Sequence, residues 1–145
     1  MKLIITSLSL LFLYSTGWSQ STYYSNKGAA INGYDAVAYF EQNAAVKGSE
    51  KYATEWSNAT WLFSSKQHLD SFNVDPVKYA PQYGGWCAYG VSDNHKAPTQ
   101  PDAFTITGGK LYLNYNKEVM QMWRGDTAKY IKLANQYWPG LAPKP

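Results

Sequence analysis

Phe104-Thr105-Ile106-Thr107-Gly108-Gly109-Lys110-Leu111-Tyr112-Leu113-Asn114-Tyr115 reads as two strands around a two-glycine turn. Phe104 and Ile106 alternate with Thr105 and Thr107, and Leu111, Leu113 and Tyr115 alternate with Tyr112 and Asn114. A period of two gives each strand one apolar face, and Gly108-Gly109 accepts the positive φ that a tight hairpin needs. Downstream the period becomes helical. Asn116 predicts the cap of a helix through Trp123, and Gly125-Asp126 starts a second one. In that helix Ala128, Ile131, Ala134 and Trp138 form a stripe, Lys129, Lys132 and Asn135 take other faces, and Pro139-Gly140 ends it.

Upstream of the hairpin, Pro98 to Pro101 is a rigid connector. Ile31-Asn32-Gly33 is a turn signal, and Tyr34 to Phe40 reads as a strand after it. Lys51 to Trp56 and Thr60 to Phe63 read as a second hairpin, turned by Ser57-Asn58. At Ser64 or Ser65 a cap predicts a helix carrying Leu69 and Phe72 on one face. Asp75-Pro76 opens a short helix with apolar contacts from Val77, Tyr79 and Ala80. Tyr83-Gly84-Gly85-Trp86-Cys87-Ala88-Tyr89-Gly90 reads as a tight turn into a buried strand. Hairpins and helices do not alternate as βαβ units, so the expected class is α+β: one small domain with short antiparallel strands, several short helices and a C-terminal amphipathic helix.

The chain begins as an export signal begins. Lys2 precedes an apolar run from Leu3 to Leu13, and Gly17-Trp18-Ser19 supplies small residues around a cut before Gln20. That run is shorter than the roughly 20 residues that span a bilayer. The expected organisation is therefore a cleaved signal at 1–19, an irregular lead-in at 20–30, a domain at 31–140 and a tail at 141–145. The product is expected to be periplasmic or secreted, with no membrane insertion after cleavage. The formal charge of +3 comes from lysines scattered along the chain, which leaves no electrostatic footprint for nucleic acid. Thirteen tyrosines and six tryptophans suit either a shallow core or a stacking surface.

Cys87 is the one cysteine, so the chain forms no internal disulfide, and an exported free thiol needs a reason. It follows Gly84-Gly85, where missing side chains let a ligand or another backbone approach. A buried thiol acting as a small apolar residue is the competing reading. His68 lies in the helix after Ser65, and His95 lies in the polar loop Asp93-Asn94-His95-Lys96. With Met120 and Met122 these make a soft donor set for copper or zinc if folding gathers them. The two methionines stand on different helix faces, so at least one belongs to the core. A cysteine–histidine nucleophile pair oriented by Asp35 or Asp93 is a further possibility.

The run Ile31-Asn32-Gly33-Tyr34-Asp35-Ala36-Val37-Ala38-Tyr39-Phe40 is followed by Trp61-Leu62-Phe63-Ser64-Ser65, Phe72, Asp75-Pro76 and Tyr79-Ala80-Pro81-Gln82-Tyr83-Gly84-Gly85. With Cys87-Ala88-Tyr89, Lys110 to Asn116 and Trp123, this pattern resembles the long, exported form of the YHS domain proteins. Short members of that family accompany the handling of copper and other heavy metals, with cysteines as presumed ligands. In this chain Asp35-Ala36-Val37-Ala38 occupies the segment of the first such cysteine, Ser64 stands where cysteine is typical, and His68 stands at the second cysteine of that turn. Long-form relatives can carry selenocysteine at the position of Cys87, which implies exposed redox or soft-metal chemistry there. The leading expectation is a soft-metal module, copper before zinc, held by Cys87 with His68 or His95. The alternatives are a thiol redox protein or enzyme acting through Cys87, and a non-catalytic interaction module whose aromatic surface binds a partner or glycan.

Overall fold

The computed structural model describes residues 21–26 and 28–144, so the expected signal at 1–19 lies outside the described residues. Among the described residues six α-helices and three two-stranded antiparallel sheets make a small α+β domain. The lead-in carries β1 (Ser25–Asn26) paired with β2 (Ala29–Ala30), where irregular chain was expected. A left-handed turn over Ile31–Gly33 leads to α1 (Ala38–Glu41). The strand expected over Tyr34 to Phe40 does not form, and only Tyr34 bridges to Lys47. Asp35 decides this locally: its Oδ1 accepts from the backbone N–H of Val37 and Ala38 at 2.9 and 3.1 Å, which turns the chain into helix.

β3 (Ser49–Trp56) and β4 (Ala59–Phe63) form the expected hairpin. Ser57 and Asn58 both take positive φ, as a two-residue turn requires. Next comes α2 (Lys66–Val74), capped by Ser65, whose Oγ accepts from the His68 N–H. α3 (Pro76–Tyr79) is capped by Asp75. Tyr79 and Ala80 are buried as expected, but Val77 is 72% exposed because a four-residue helix has only one inner side. The segment after Gly84-Gly85 is helical and not a strand: α4 (Ala88–Ser92) begins directly behind Cys87.

β5 (Phe104–Thr107) and β6 (Lys110–Leu113) form the hairpin read from Gly108-Gly109. β6 is buried on both faces. Leu111 and Leu113 enter a cluster with Trp61, Phe63, Phe72 and Val37, while Tyr112 enters another with Tyr83, Val91, Trp123 and Ala134. One strand thus divides two cores, and by its period of two Asn114 follows Tyr112 onto the second side. α5 (Lys117–Arg124) is capped by Asn116. α6 (Thr127–Leu141) is capped by Asp126 and runs past Pro139, which sits in its last turn where few backbone bonds depend on that nitrogen. Its inner stripe is Ile131, Ala134 and Trp138, with Ala128 exposed. Met120 is buried and Met122 exposed. Among the described residues no helix is long and apolar enough to cross a membrane.

Candidate functional site

Cys87 reaches its position through three consecutive left-handed residues, Tyr83, Gly84 and Gly85, at φ 54°, 60° and 76°. Gly84 has a steric reason to be glycine: a Cβ there would stand 2.1 Å from the Thr22 carbonyl oxygen. The turn is tied down by Tyr24 N–H donating to the Gly84 carbonyl at 2.7 Å. Beyond it, Cys87 N–H donates to the Ala97 carbonyl at 3.0 Å, and the Cys87 sulfur caps α4 by accepting from Gly90 N–H at 3.5 Å.

The thiol is 1% exposed. Its Sγ lies 3.6 Å from Oδ1 of Asn114, positioned to donate its proton there, and the same oxygen accepts from Tyr89 N–H at 3.1 Å. Asn114 is fully buried and is fixed through its backbone: its N–H donates to Ala103 and its carbonyl accepts from Gln100. Its Nδ2 finds no partner. Burial pushes the thiol above its ordinary pKa, while the backbone N–H groups of Gly90, Tyr115 and Tyr89 pull it down by less. The resting sulfur is therefore a protonated thiol.

Cys87 and His95 line one cavity of about 310 Å³, together with Tyr89, Gly90, Ala97, Tyr115 and Val119. Its walls are almost wholly apolar and it opens to solvent. The His95 loop is drawn in because its N–H donates to the Gly90 carbonyl at 3.0 Å. Gly90 makes that approach possible, since a Cβ there would lie 3.3 Å from both Nε2 and the carbonyl oxygen of His95. Asp93 stands beside the imidazole, with Oδ2 3.6 Å from Nδ1.

His68 is elsewhere and engaged. Its Nδ1 lies 2.6 Å from Oδ2 of the buried Asp35, and its Nε2 lies 3.3 Å from Oε2 of Glu41. The same Asp35 oxygen accepts from Ser64 N–H and Ser64 Oγ at 2.8 and 2.6 Å. His68 does not line the Cys87 cavity, and neither do Met120 and Met122. Among the described residues no group of three or more His, Cys, Asp or Glu could hold a metal ion. Of the candidate donors, Cys87 and His95 line this cavity.

The sequence reading missed Asn114, Gly90 and Tyr115. Only the two-residue alternation that places Asn114 on the Tyr112 side of its strand hinted at the first. Comparison with protein-family models, with curated proteins and with solved structures finds no match for the chain.

Proposed function

We propose that this chain is an exported soft-metal module in which Cys87 and His95 take up a monovalent copper ion. The observation that carries this reading is that the one thiol and an exposed imidazole line the same open cavity. Thiolate selects copper(I) by softness. Zinc sites use at least three protein ligands, and two donors fall short of that. Charge points the same way: a thiolate with a singly charged ion is neutral, whereas a divalent ion would leave an unbalanced charge against apolar walls. Cys87 would give up its proton as the metal–sulfur bond forms, and His95 would bring a neutral nitrogen from the solvent side. The resemblance to YHS domain proteins agrees with a role in copper handling, and the leader-like N-terminus agrees with delivery outside the cytoplasm.

A competition titration with a chromophoric copper(I) chelator tests this directly. Cys87→Ser should lose stoichiometric copper(I) while keeping its far-UV circular dichroism, and His95→Ala should weaken binding without abolishing it. Unchanged copper(I) affinity in Cys87→Ser overturns the reading.

A thiol redox protein is the second reading: Gly90 N–H donates to the Cys87 sulfur at 3.5 Å, a contact that stabilises thiolate against the burial that raises its pKa. Rapid alkylation with a thiol pKa below the ordinary value of about 8.5 would favour it over copper binding. Slow alkylation would count against it.

A further inference from the structure

Two more depressions are linked to the Cys87 cavity, one sharing a wall with it and the other sharing a wall with the first. One, of about 360 Å³, is lined by Tyr24, Asn26, Asn32, Thr99, Gln100 and Tyr115, and Tyr115 also lines the Cys87 cavity. The other, of about 340 Å³, lies across Tyr24 and carries Tyr23, Trp86, Lys96 and Pro143.

The first depression has an unusual chemistry. Among the described residues it is walled by three primary amides, two phenols, a threonine and Pro98, with no charged side chain. Among the described residues an anion would find no cation lining it, and an apolar ligand would strand the amides from water. Amides and phenols both donate and accept hydrogen bonds, which suits a neutral ligand dense in hydroxyl groups.

Asn32 makes the case specific. It sits in a left-handed run in which Ile31, Asn32 and Gly33 have φ of 51°, 53° and 81°. A β-branched residue at such a φ is a true outlier, of the kind that costs roughly 1–3 kcal/mol and is kept where the surroundings or a function require it. The amide so presented is loosely held: Nδ2 makes one long bond, 3.4 Å to the Thr99 carbonyl, and Oδ1 has no partner. That oxygen is itself buried, so a ligand hydroxyl would supply the missing donor only after the loosely held amide turns toward the depression. Next door, the Tyr24 and Trp86 rings lie 4.6 Å apart between centroids at 46°, with Lys96 Nζ 5.2 Å from the Trp86 ring. The two rings pack on each other and Lys96 lies over Trp86, so what they offer the C–H groups of a sugar is the apolar area left along the second depression, which both line.

From this arrangement we infer that the trough is a binding site for a neutral oligosaccharide, with one sugar ring among Asn26, Asn32 and Gln100 and its neighbour against Tyr24 and Trp86. The inference is independent of copper binding at Cys87.

The test titrates the purified protein with neutral tetrasaccharides of β1,4-glucose, α1,4-glucose and β1,4-N-acetylglucosamine, followed by ¹H–¹⁵N NMR and tryptophan fluorescence. At least one should shift the side-chain amides of Asn26, Asn32 and Gln100 and the Trp86 indole in a saturable way. Gln100→Ala, a substitution at an exposed position, should then weaken binding about fivefold, the effect of one hydrogen bond. Absence of a response along the trough with all three sugars overturns the proposal, as does a response confined to residues elsewhere. Tighter binding of an oligogalacturonate than of every neutral sugar also overturns it, by making Lys96 and not the amides the determinant.

Discussion

Asp35 holds together three parts of this fold, α1, the β4–α2 turn and α2 itself. It is fully buried, and its two oxygens serve Val37 N–H, Ala38 N–H, Ser64 N–H, Ser64 Oγ and the His68 ring. Removing one partner from a buried charged network leaves the others unsatisfied, so Asp35→Ala should lose about 3 kcal/mol or more in urea unfolding with an unchanged m-value. The same network explains why His68, a candidate ligand by sequence, is committed to structure. Cys87 makes the contrasting case. Because burial raises its pKa, copper(I) must displace a proton, and affinity should rise about tenfold per pH unit until the pH passes the thiol's pKa. A pH-independent affinity over pH 6 to 8, a range of about two units below the ordinary thiol pKa, would contradict the thiolate as ligand. Neither assignment was legible from residue type alone, since both depend on which side chains come within about 3 Å.

At the scale of elements, two glycines set the geometry of the site. Gly84→Ala would force a Cβ against the Thr22 carbonyl at a φ of 60°. It should cost at least the roughly 1–3 kcal/mol of left-handed strain. It should also release the 21–26 segment, read as lost hydrogen-exchange protection at the Tyr24 amide. Gly90→Ala has a different consequence, because its Cβ would crowd His95. Copper(I) affinity should fall toward that of His95→Ala while the fold persists, as circular dichroism would report. Capping residues were the most readable elements: Ser65, Asp75, Asn116 and Asp126 all begin helices in the structure, because a cap acts within four residues of itself. The two strands that failed to form, over Tyr34 to Phe40 and after Gly85, share a cause. Both are apolar runs started by a side chain, Asp35 or Cys87, that accepts a backbone N–H two or three residues on. An apolar run by itself does not separate buried strand from buried helix.

Over the whole molecule, burial of phenols ties stability to alkaline pH. Tyr23 is pushed up to about 12, and Tyr39 and Tyr83 are raised further, all mainly by desolvation. A folded phenol that holds its proton more tightly than the unfolded chain stabilises fully below pH 10, the ordinary tyrosine value of about 10 being where the unfolded chain starts to release protons. Stability should therefore fall as pH rises from there, by about 1.4 kcal/mol per pH unit for Tyr39 alone. Tyr39→Phe should flatten this slope while losing about 1 kcal/mol near neutrality, because the hydroxyl donates to the Pro101 carbonyl at 2.7 Å. Equal slopes in both proteins would refute that account. The α+β class, both main hairpins and the starts of α2, α3, α5 and α6 were determined by sequence, because alternation, turn residues and caps act between near neighbours. Tertiary structure alone decided that β6 separates two cores, that His95 and not His68 lines the cavity of Cys87, and that a neighbouring depression shares Tyr115 with that cavity and Tyr24 with a third. Those relations link residues far apart in the chain, and only the packing of one element on another, which no local pattern encodes, brings them together.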